Sequence, residues 1–232
     1  MRRNHAAGAC PSSQETVGGF CYFAFQLLLL PELLKLLNGQ LSAPLRDAEL
    51  NFVFYMINFL AVLLIFHEFF GSAARQAVRH PAYLCQAVIL GLAAYYACLF
   101  TVNWVIGVLV PGFSNYNDSA ISAMRQESRL LVVIGTVILV PTAEECFFRG
   151  LIFRNLYGKS HWAAYLVSML AFAFVHILGY AGQYTPLEML MALLQYLPAG
   201  LCLAWSYTKA DTIFAPIAIH AAVNFITLTS WR

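Results

Sequence analysis

Seven apolar segments, each close to the length needed to cross a lipid bilayer, account for most of this chain. A membrane-spanning helix needs about 20 consecutive apolar residues, and only helices or closed barrels satisfy their backbone hydrogen bonds inside lipid. The segments are continuous and lack the alternation of barrel strands. The sequence therefore predicts an all-α, polytopic transmembrane helical bundle of about seven spans. The predicted segments are 17–37, 50–70, 83–110, 130–157, 162–182, 186–208 and 212–230.

The composition agrees with a membrane protein. Of the 232 residues, 61% are hydrophobic and 10% are charged, whereas soluble domains average about 45–50% apolar and about 25% charged residues. A net charge of +2 does not favour a nucleic-acid partner. The six cysteines lack the paired spacing of a disulfide framework or a zinc site. We expect a multi-pass protein of the cell (plasma or inner) membrane, surrounded by the lipid bilayer.

The distribution of Lys and Arg predicts the orientation, because cytoplasmic loops carry an excess of these residues. One set of loops and ends collects Arg2, Arg3, Arg75, Arg79, Arg154, Lys159 and Lys209. The opposite set collects Arg46, Arg125, Arg129 and Arg232. We therefore expect the N-terminus in the cytoplasm.

Three of the late apolar segments carry side chains that lipid tolerates poorly. A charge at mid-membrane costs about 2.5–3.5 kcal/mol on the insertion scale. The residues are Glu144, Glu145 and Arg149 in the fourth segment, His176 in the fifth, and His220 and Asn224 in the seventh. At a rise of about 1.5 Å per residue, the three groups lie at roughly similar depths. We infer that they face one another in a shared pocket rather than lipid.

The spacing within each group suggests a chemical role for each side chain. Arg149 lies four residues after Glu145, so the two share a helix face and pair. Glu144 points about 100° around the helix and is free to act as a general base. His220 and Asn224 are also four residues apart, which aims two hydrogen-bonding groups at one point.

Together, E-E-x-x-x-R, F-x-x-x-H and H-x-x-x-N on successive late segments resemble the CAAX-processing and bacteriocin-processing (CPBP, or Abi) family of Ras-converting-enzyme-like intramembrane glutamic proteases. The resemblance covers roughly residues 130–230. It implies that Glu144 with His176 activates the hydrolytic water. It also implies that His220 and Asn224 stabilise the oxyanion, while the second acid and the arginine hold the motif in place. The chain is thereby divided into N-terminal spans without a recognised motif (1–129) and a catalytic core (130–232).

A metal site is the alternative chemistry for these residues. Glu145, His176 and His220 are a plausible set of three zinc ligands, with Glu144 then serving as the base. The sequence lacks H-E-x-x-H, and Arg149 beside Glu145 competes with a cation. We therefore expect no cofactor and metal-independent glutamate catalysis.

The expected function is an intramembrane endopeptidase acting on a membrane-associated protein or peptide. Because water and substrate must reach the pocket, we expect a cavity open to the cytoplasm or laterally to lipid. The same buried ionisable groups also suit a proton-coupled transporter, although the internal repeat common in transporters is not evident. An inactive CPBP-like scaffold or immunity protein is the other alternative. The sequence leaves the substrate open among a prenylated C-terminus, a bacteriocin leader, an anchored regulator and a C-terminal sorting tail.

Overall fold

The computed structural model describes residues 9–230, and its secondary structure over that range is helical. The helices are α1 (Ser13–Leu28), α2 (Leu30–Gly39), α3 (Asp47–Ile65), α4 (His67–Arg79), α5 (Pro81–Leu109), α6 (Tyr116–Glu127), α7 (Arg129–Tyr157), α8 (His161–Leu178), α9 (Pro186–Ala210) and α10 (Phe214–Ser230). Side-chain caps start several of them. In α1, Ser12 and Glu15 form a reciprocal capping box, which satisfies backbone donors that the first turn leaves open.

Five helices are long and apolar enough to cross a membrane: α3, α5, α7, α8 and α9. The α1–α2 pair, bent by 47° at Leu29, makes a sixth span if it is counted as one. The apolar helix α10 is shorter, at 17 residues. The predicted all-α transmembrane bundle is confirmed, and about seven spans is roughly consistent with it. Arg2, Arg3 and Arg232, on which the predicted orientation partly depends, lie outside the described residues.

The amphipathic helices α4 and α6 mark opposite ends of the bundle, because α4 precedes α5 and α6 follows it. At the end marked by α6, the side chain of Glu127 accepts a hydrogen bond from the backbone N–H of Ala48 at 3.0 Å. At the end marked by α4, Gln76 donates to Asp211 at 3.2 Å. We call these the α6 end (residues 40–46, 110–128 and 179–185) and the α4 end (residues 66–80, 158–160 and 211–213).

Helix α7 is the central helix of the bundle. Half of its most apolar stretch is buried, compared with 17% for α3 and for α5. Phe147 of α7 packs in one cluster with Phe66 and Ile213, so side chains from both predicted parts of the chain share a core. The division at residue 129 rests on motif content and stays a prediction.

Small residues bring the neighbours of α7 close together. A Cβ on Gly200 of α9 would lie 2.8 Å from the Cα of Met169 on α8, a distance at which backbone must move. Because lipid is as apolar as the protein interior, such close packing and interhelical hydrogen bonds hold membrane helices together. The approach at Gly200 also exposes its carbonyl to α7.

Two π-helical stretches, Gly135–Leu139 and Cys146–Phe153, flank the segment of α7 that carries the paired acids. In the first, the backbone N–H of Val140 donates to the carbonyl of Gly135. The next residue, Pro141, has no N–H, which leaves the carbonyl of Thr136 without its usual donors. That carbonyl accepts a hydrogen bond from Asn224 Nδ2 of α10 at 2.8 Å. The π turn and the proline thus create an anchor for α10. Such wide turns are frequent at functional sites.

Candidate active site

The three groups of polar side chains meet inside the bundle. The Nε2 atom of His176, on α8, lies 3.6 Å from Glu144 Oε2 on α7. The Nε2 atom of His220, on α10, lies 3.9 Å from the same oxygen. Both separations exceed the length of a direct hydrogen bond. The convergence expected from the sequence is therefore present in the structure, while the role of each residue stays a prediction.

The ring of His176 is fixed by its own helix. Its Nδ1 atom lies 2.8 Å from the carbonyl oxygen of Phe172. Because a carbonyl only accepts hydrogen bonds, Nδ1 carries the proton, and Nε2 of the neutral ring presents a lone pair to Glu144. The imidazole packs between the rings of Phe172 and Tyr196, with centroids 4.4 Å and 4.6 Å away.

Glu145 and Arg149 form a buried ion pair next to Glu144 and the two histidines. Both side chains have 0% exposure, and Arg149 Nη1 donates to Glu145 Oε1 at 3.0 Å. The i, i+4 pairing predicted from the sequence is observed. Arg149 Nη2 donates to the carbonyl of Gly200 at 3.2 Å. The guanidinium also lies 4.7 Å from the centroid of Phe172, within cation–π range.

The same carboxylate orients His220. Glu145 Oε1 lies 2.8 Å from His220 Nδ1, so Nδ1 donates to it and Nε2 faces the space beside Glu144. His220 is thus tied to Arg149 through one shared oxygen. This three-residue arrangement fixes the angle at which α10 presents its imidazole.

Asn224, one turn beyond His220, lies on the wall of the same space. One N–H of its amide is used by Thr136. A primary amide has a second N–H, which remains for a ligand. His220 and Asn224 therefore occupy adjacent turns of α10, as their spacing predicts.

A cavity of about 350 Å³ connects these groups to the α6 end. Glu144, His176, His220 and Asn224 all line it, and so do Asn115, Asn117 and Asp118 near the start of α6. The sequence-based expectation was an opening to the cytoplasm, at the more basic end, or laterally to lipid. The described members of the more basic set (Arg75, Arg79, Arg154, Lys159 and Lys209) lie in or next to the α4 end and do not line this cavity. The side of the membrane to which the cavity opens stays a prediction. A cytoplasmic N-terminus and a cytoplasmic opening of this cavity are incompatible.

A second cavity, of about 180 Å³, lies beneath the bend between α1 and α2. Its walls are mostly apolar and include Phe23, Leu27, Phe54 and Phe148. Glu144 lines both cavities. The carboxylate thus lies where a polar space and an apolar space meet.

Sequence reasoning missed several residues of the site. Tyr55 and Tyr95 line the larger cavity from α3 and α5, although these helices carry no recognised motif. Asp118 lies outside the predicted apolar segments, but it belongs to a helix whose first turn forms a cavity wall. No local signal marks these residues, because their positions depend on how distant helices pack.

The alternative zinc ligands are not assembled in this arrangement. Glu145 Oε1 is already bonded to Arg149 and His220, and His176 faces Glu144 instead. Over residues 9–230, no group of three or more His, Cys, Asp or Glu side chains is placed to hold a metal ion. Metal independence itself stays a prediction.

The bundle and its Glu–His cluster define a class of membrane protein with a cluster of polar side chains inside the helical bundle. Residues 126–226, which contain all six predicted site residues, match the family described as type II CAAX prenyl endopeptidase Rce1-like. The resemblance inferred from the three motifs is thereby confirmed. It supports a membrane endopeptidase as the general class and does not favour a transporter or an inactive scaffold.

Two curated proteins are similar to this chain. "Putative membrane peptidase YdiL" of Bacillus subtilis is 25% identical over 179 residues, which cover 73% of this chain and 67% of that protein. "UPF0177 protein YxdF" of Lactococcus lactis is 32% identical over 132 residues, which cover 53% of this chain and 65% of that protein. The matches thus span about two thirds of each relative. No solved structure gives a significant match.

Proposed function

We propose that this protein is an intramembrane endopeptidase that hydrolyses a peptide bond of a membrane-associated protein or peptide through a water activated by Glu144 and His176. The main observation is the position of Glu144 Oε2, 3.6 Å and 3.9 Å from two imidazole Nε2 atoms on the wall of a cavity large enough for a substrate segment.

The first step is activation of water. Glu144 and the lone pair of His176 Nε2 are both acceptors, so they favour a molecule that donates two hydrogen bonds between them. A water held there transfers one proton to this pair as its oxygen attacks the scissile carbonyl. The result is a tetrahedral intermediate with a negative oxygen and a protonated Glu–His pair.

The second step is stabilisation and collapse of that intermediate. The remaining N–H of Asn224 and a doubly protonated His220, with Glu145 as its counter-ion, would donate to the oxyanion. The proton taken from water then passes to the amide nitrogen as the C–N bond breaks. The products are a carboxyl group and an amine, and Glu144 and His176 return to their starting state.

In this proposal Glu145 and Arg149 position the reacting groups and do not touch the substrate. The reaction requires no metal, and the catalytic type is glutamic. The Arg149 guanidinium beside Glu145 supports this choice, because it occupies an oxygen that a metal ion would otherwise bind.

We also propose a location in the cell membrane with the N-terminus in the cytoplasm. The positive-inside bias supports this orientation. The α6 end, and with it the larger cavity, then faces the opposite side of the membrane. Substrate would enter from that side or laterally from the bilayer.

The test is the loss of cleavage in Glu144→Gln and His176→Ala. The full-length protein would be expressed in membranes, and new protein termini in the membrane proteome would be compared with those of cells lacking it. Each substitution removes a general-base contact and is expected to lower cleavage by about 100- to 10,000-fold. Membrane insertion and yield should stay unchanged.

Matched controls come from a neighbouring acid and imidazole at the α4 end. His67 and Glu68 are exposed and lie away from the cavities. His67→Ala and Glu68→Gln should retain wild-type cleavage. Normal processing by both site variants would refute the proposed mechanism.

A further inference from the structure

The larger cavity contains a second carboxylate that the proposed chemistry does not use. Asp118, in the first turn of α6, lines the same space as His176. The two side chains are close enough to interact electrostatically. No Lys or Arg is among the cavity-lining residues of the described chain. The α6 wall of the cavity therefore contributes an acidic group, and no Lys or Arg, to the lining of the described chain.

Neighbouring polar groups on that wall satisfy one another. Asn115 Nδ2 donates to Gln195 Oε1 at 2.8 Å, and Gln195 Nε2 donates to Asn103 Oδ1 at 3.0 Å. Tyr196 adds a longer hydrogen bond to Asn115. These amides hold α6 against α5 and α9. The carboxylate of Asp118 takes no part in this chain of hydrogen bonds.

Partial burial has a cost for this carboxylate. Desolvation raises the pKa of Asp118 above its usual range. A partly buried carboxylate recovers lost hydration energy when a cation or several hydrogen-bond donors contact it. A positively charged guest in the cavity would supply that interaction.

Two tyrosine side chains lie near the same carboxylate. Tyr95 and Tyr196 line the cavity, and their phenol groups are close enough to Asp118 to interact electrostatically with it. Cations are attracted to the faces of such rings within about 6 Å. A carboxylate with tyrosine side chains nearby suits an ammonium or guanidinium group better than a neutral or acidic one.

We propose that Asp118 is a specificity-determining residue that binds a cationic group of the substrate on the α6 side of the scissile bond. The group is either a Lys or Arg side chain or a free α-amino group, which share the same charge and donors. This inference rests on the proposed peptidase function. It adds that the cleaved segments carry a positive charge at a fixed distance from the cut.

The test uses quenched fluorescent peptides and the full-length protein in liposomes. One apolar peptide segment would carry Lys, Arg, Gln or Glu at each position in turn, with the N-terminus either free or acetylated. The wild type should prefer Lys or Arg at one position by at least about tenfold in kcat/KM over Gln. A preference that depends on the free N-terminus instead identifies the α-amino group as the source of the charge.

The decisive variant is Asp118→Asn, which keeps the shape of the side chain and removes its charge. It should bring the Lys-to-Gln ratio close to one while cleavage of the Gln peptide persists. Asp118→Lys should invert the preference toward Glu. Asp47→Asn is the matched control, because Asp47 is an exposed acid near the same end that does not line the cavity, and it should keep the wild-type ratio.

A binding measurement separates this inference from the function. In the Glu144→Gln background, affinity for the Lys peptide should fall at least about tenfold when Asp118→Asn is added. An unchanged ratio in Asp118→Asn, or wild-type cleavage with no preference for a cation, would overturn the role of Asp118 and leave the peptidase intact. Cleavage by the wild type no greater than by Glu144→Gln would instead refute the proposed function, and this inference with it.

Discussion

Removing the positive charge of Arg149 should destabilise the whole bundle as well as the site. Arg149→Met keeps the length and apolar stem of the side chain and deletes the guanidinium. Glu145 then keeps only its contact with His220 and loses its ion pair with Arg149, in a position with 0% exposure. Breaking a buried ion pair by removing one partner typically costs about 3–5 kcal/mol.

The individual contacts of Arg149 give a similar estimate of the lost unfolding free energy. Its hydrogen bonds to Glu145 at 3.0 Å and to the carbonyl of Gly200 at 3.2 Å each involve a charged group, and such bonds contribute about 1.5–3 kcal/mol. The guanidinium 4.7 Å from the Phe172 ring adds roughly 0.5–2 kcal/mol. Met replaces part of the packing, so the expected loss is about 3–5 kcal/mol. For a chain of this length, that corresponds to a fall in the unfolding midpoint on the order of 10 °C.

Thermal unfolding of the purified protein in mild detergent measures this effect. The double variant Glu145→Gln with Arg149→Met should recover at least half of the loss, because neither charge is then left alone. Arg79→Met, at an exposed position at the end of α4, should change the unfolding free energy by no more than about 0.5 kcal/mol. An Arg149→Met protein as stable as the wild type would show that the ion pair does not hold the bundle together.

Three further predictions concern the cofactor, the orientation and the α10 anchor. Cleavage should survive exhaustive chelation, and the purified protein should contain no stoichiometric zinc; loss of cleavage restored by added zinc would contradict the glutamic mechanism. An epitope inserted after Ser114 should be accessible to antibody on intact cells stripped of their outer layers. An epitope inserted after Lys159 should be accessible only after permeabilisation. The reverse pattern would contradict the proposed orientation. Pro141→Ala supplies an N–H that competes with Asn224 for the Thr136 carbonyl. Cleavage should therefore fall by about tenfold, whereas the unfolding free energy should change by about 1 kcal/mol or less. Unchanged cleavage would show that this anchor does not position Asn224.

Local spacing was sufficient to predict the contacts made within one helix. Residues four apart on a helix face the same way, which is why the Glu145–Arg149 pair and the shared face of His220 and Asn224 follow from the sequence alone. The apolar segments similarly predicted an all-α membrane bundle. The break at Leu29 and the separate amphipathic helix α4 were not predicted, because apolar periodicity continues through a bend and past the end of a span.

The mutual positions of the spans could be predicted from the sequence only in part. That the three polar groups meet could be inferred, because lipid penalises each of them separately. The shared oxygen of Glu145, which ties Arg149 of α7 to His220 of α10, depends on a rotation of α10 that no spacing encodes. The carbonyl of Thr136 is a further example, because its availability arises from a π turn and a proline that act together.

The sequence by itself thus determined which side chains must avoid lipid and which of them share a helix face, since both follow from local geometry and the cost of burying charge. Only the tertiary structure decided where the cavities lie, that the larger one reaches the α6 end, and that Tyr55, Tyr95 and Asp118 line it. These features depend on how residues far apart in the chain pack against α7. A single sequence contains no local pattern for such packing, because the same apolar helices can pack in many rotations and only the complete set of contacts selects one.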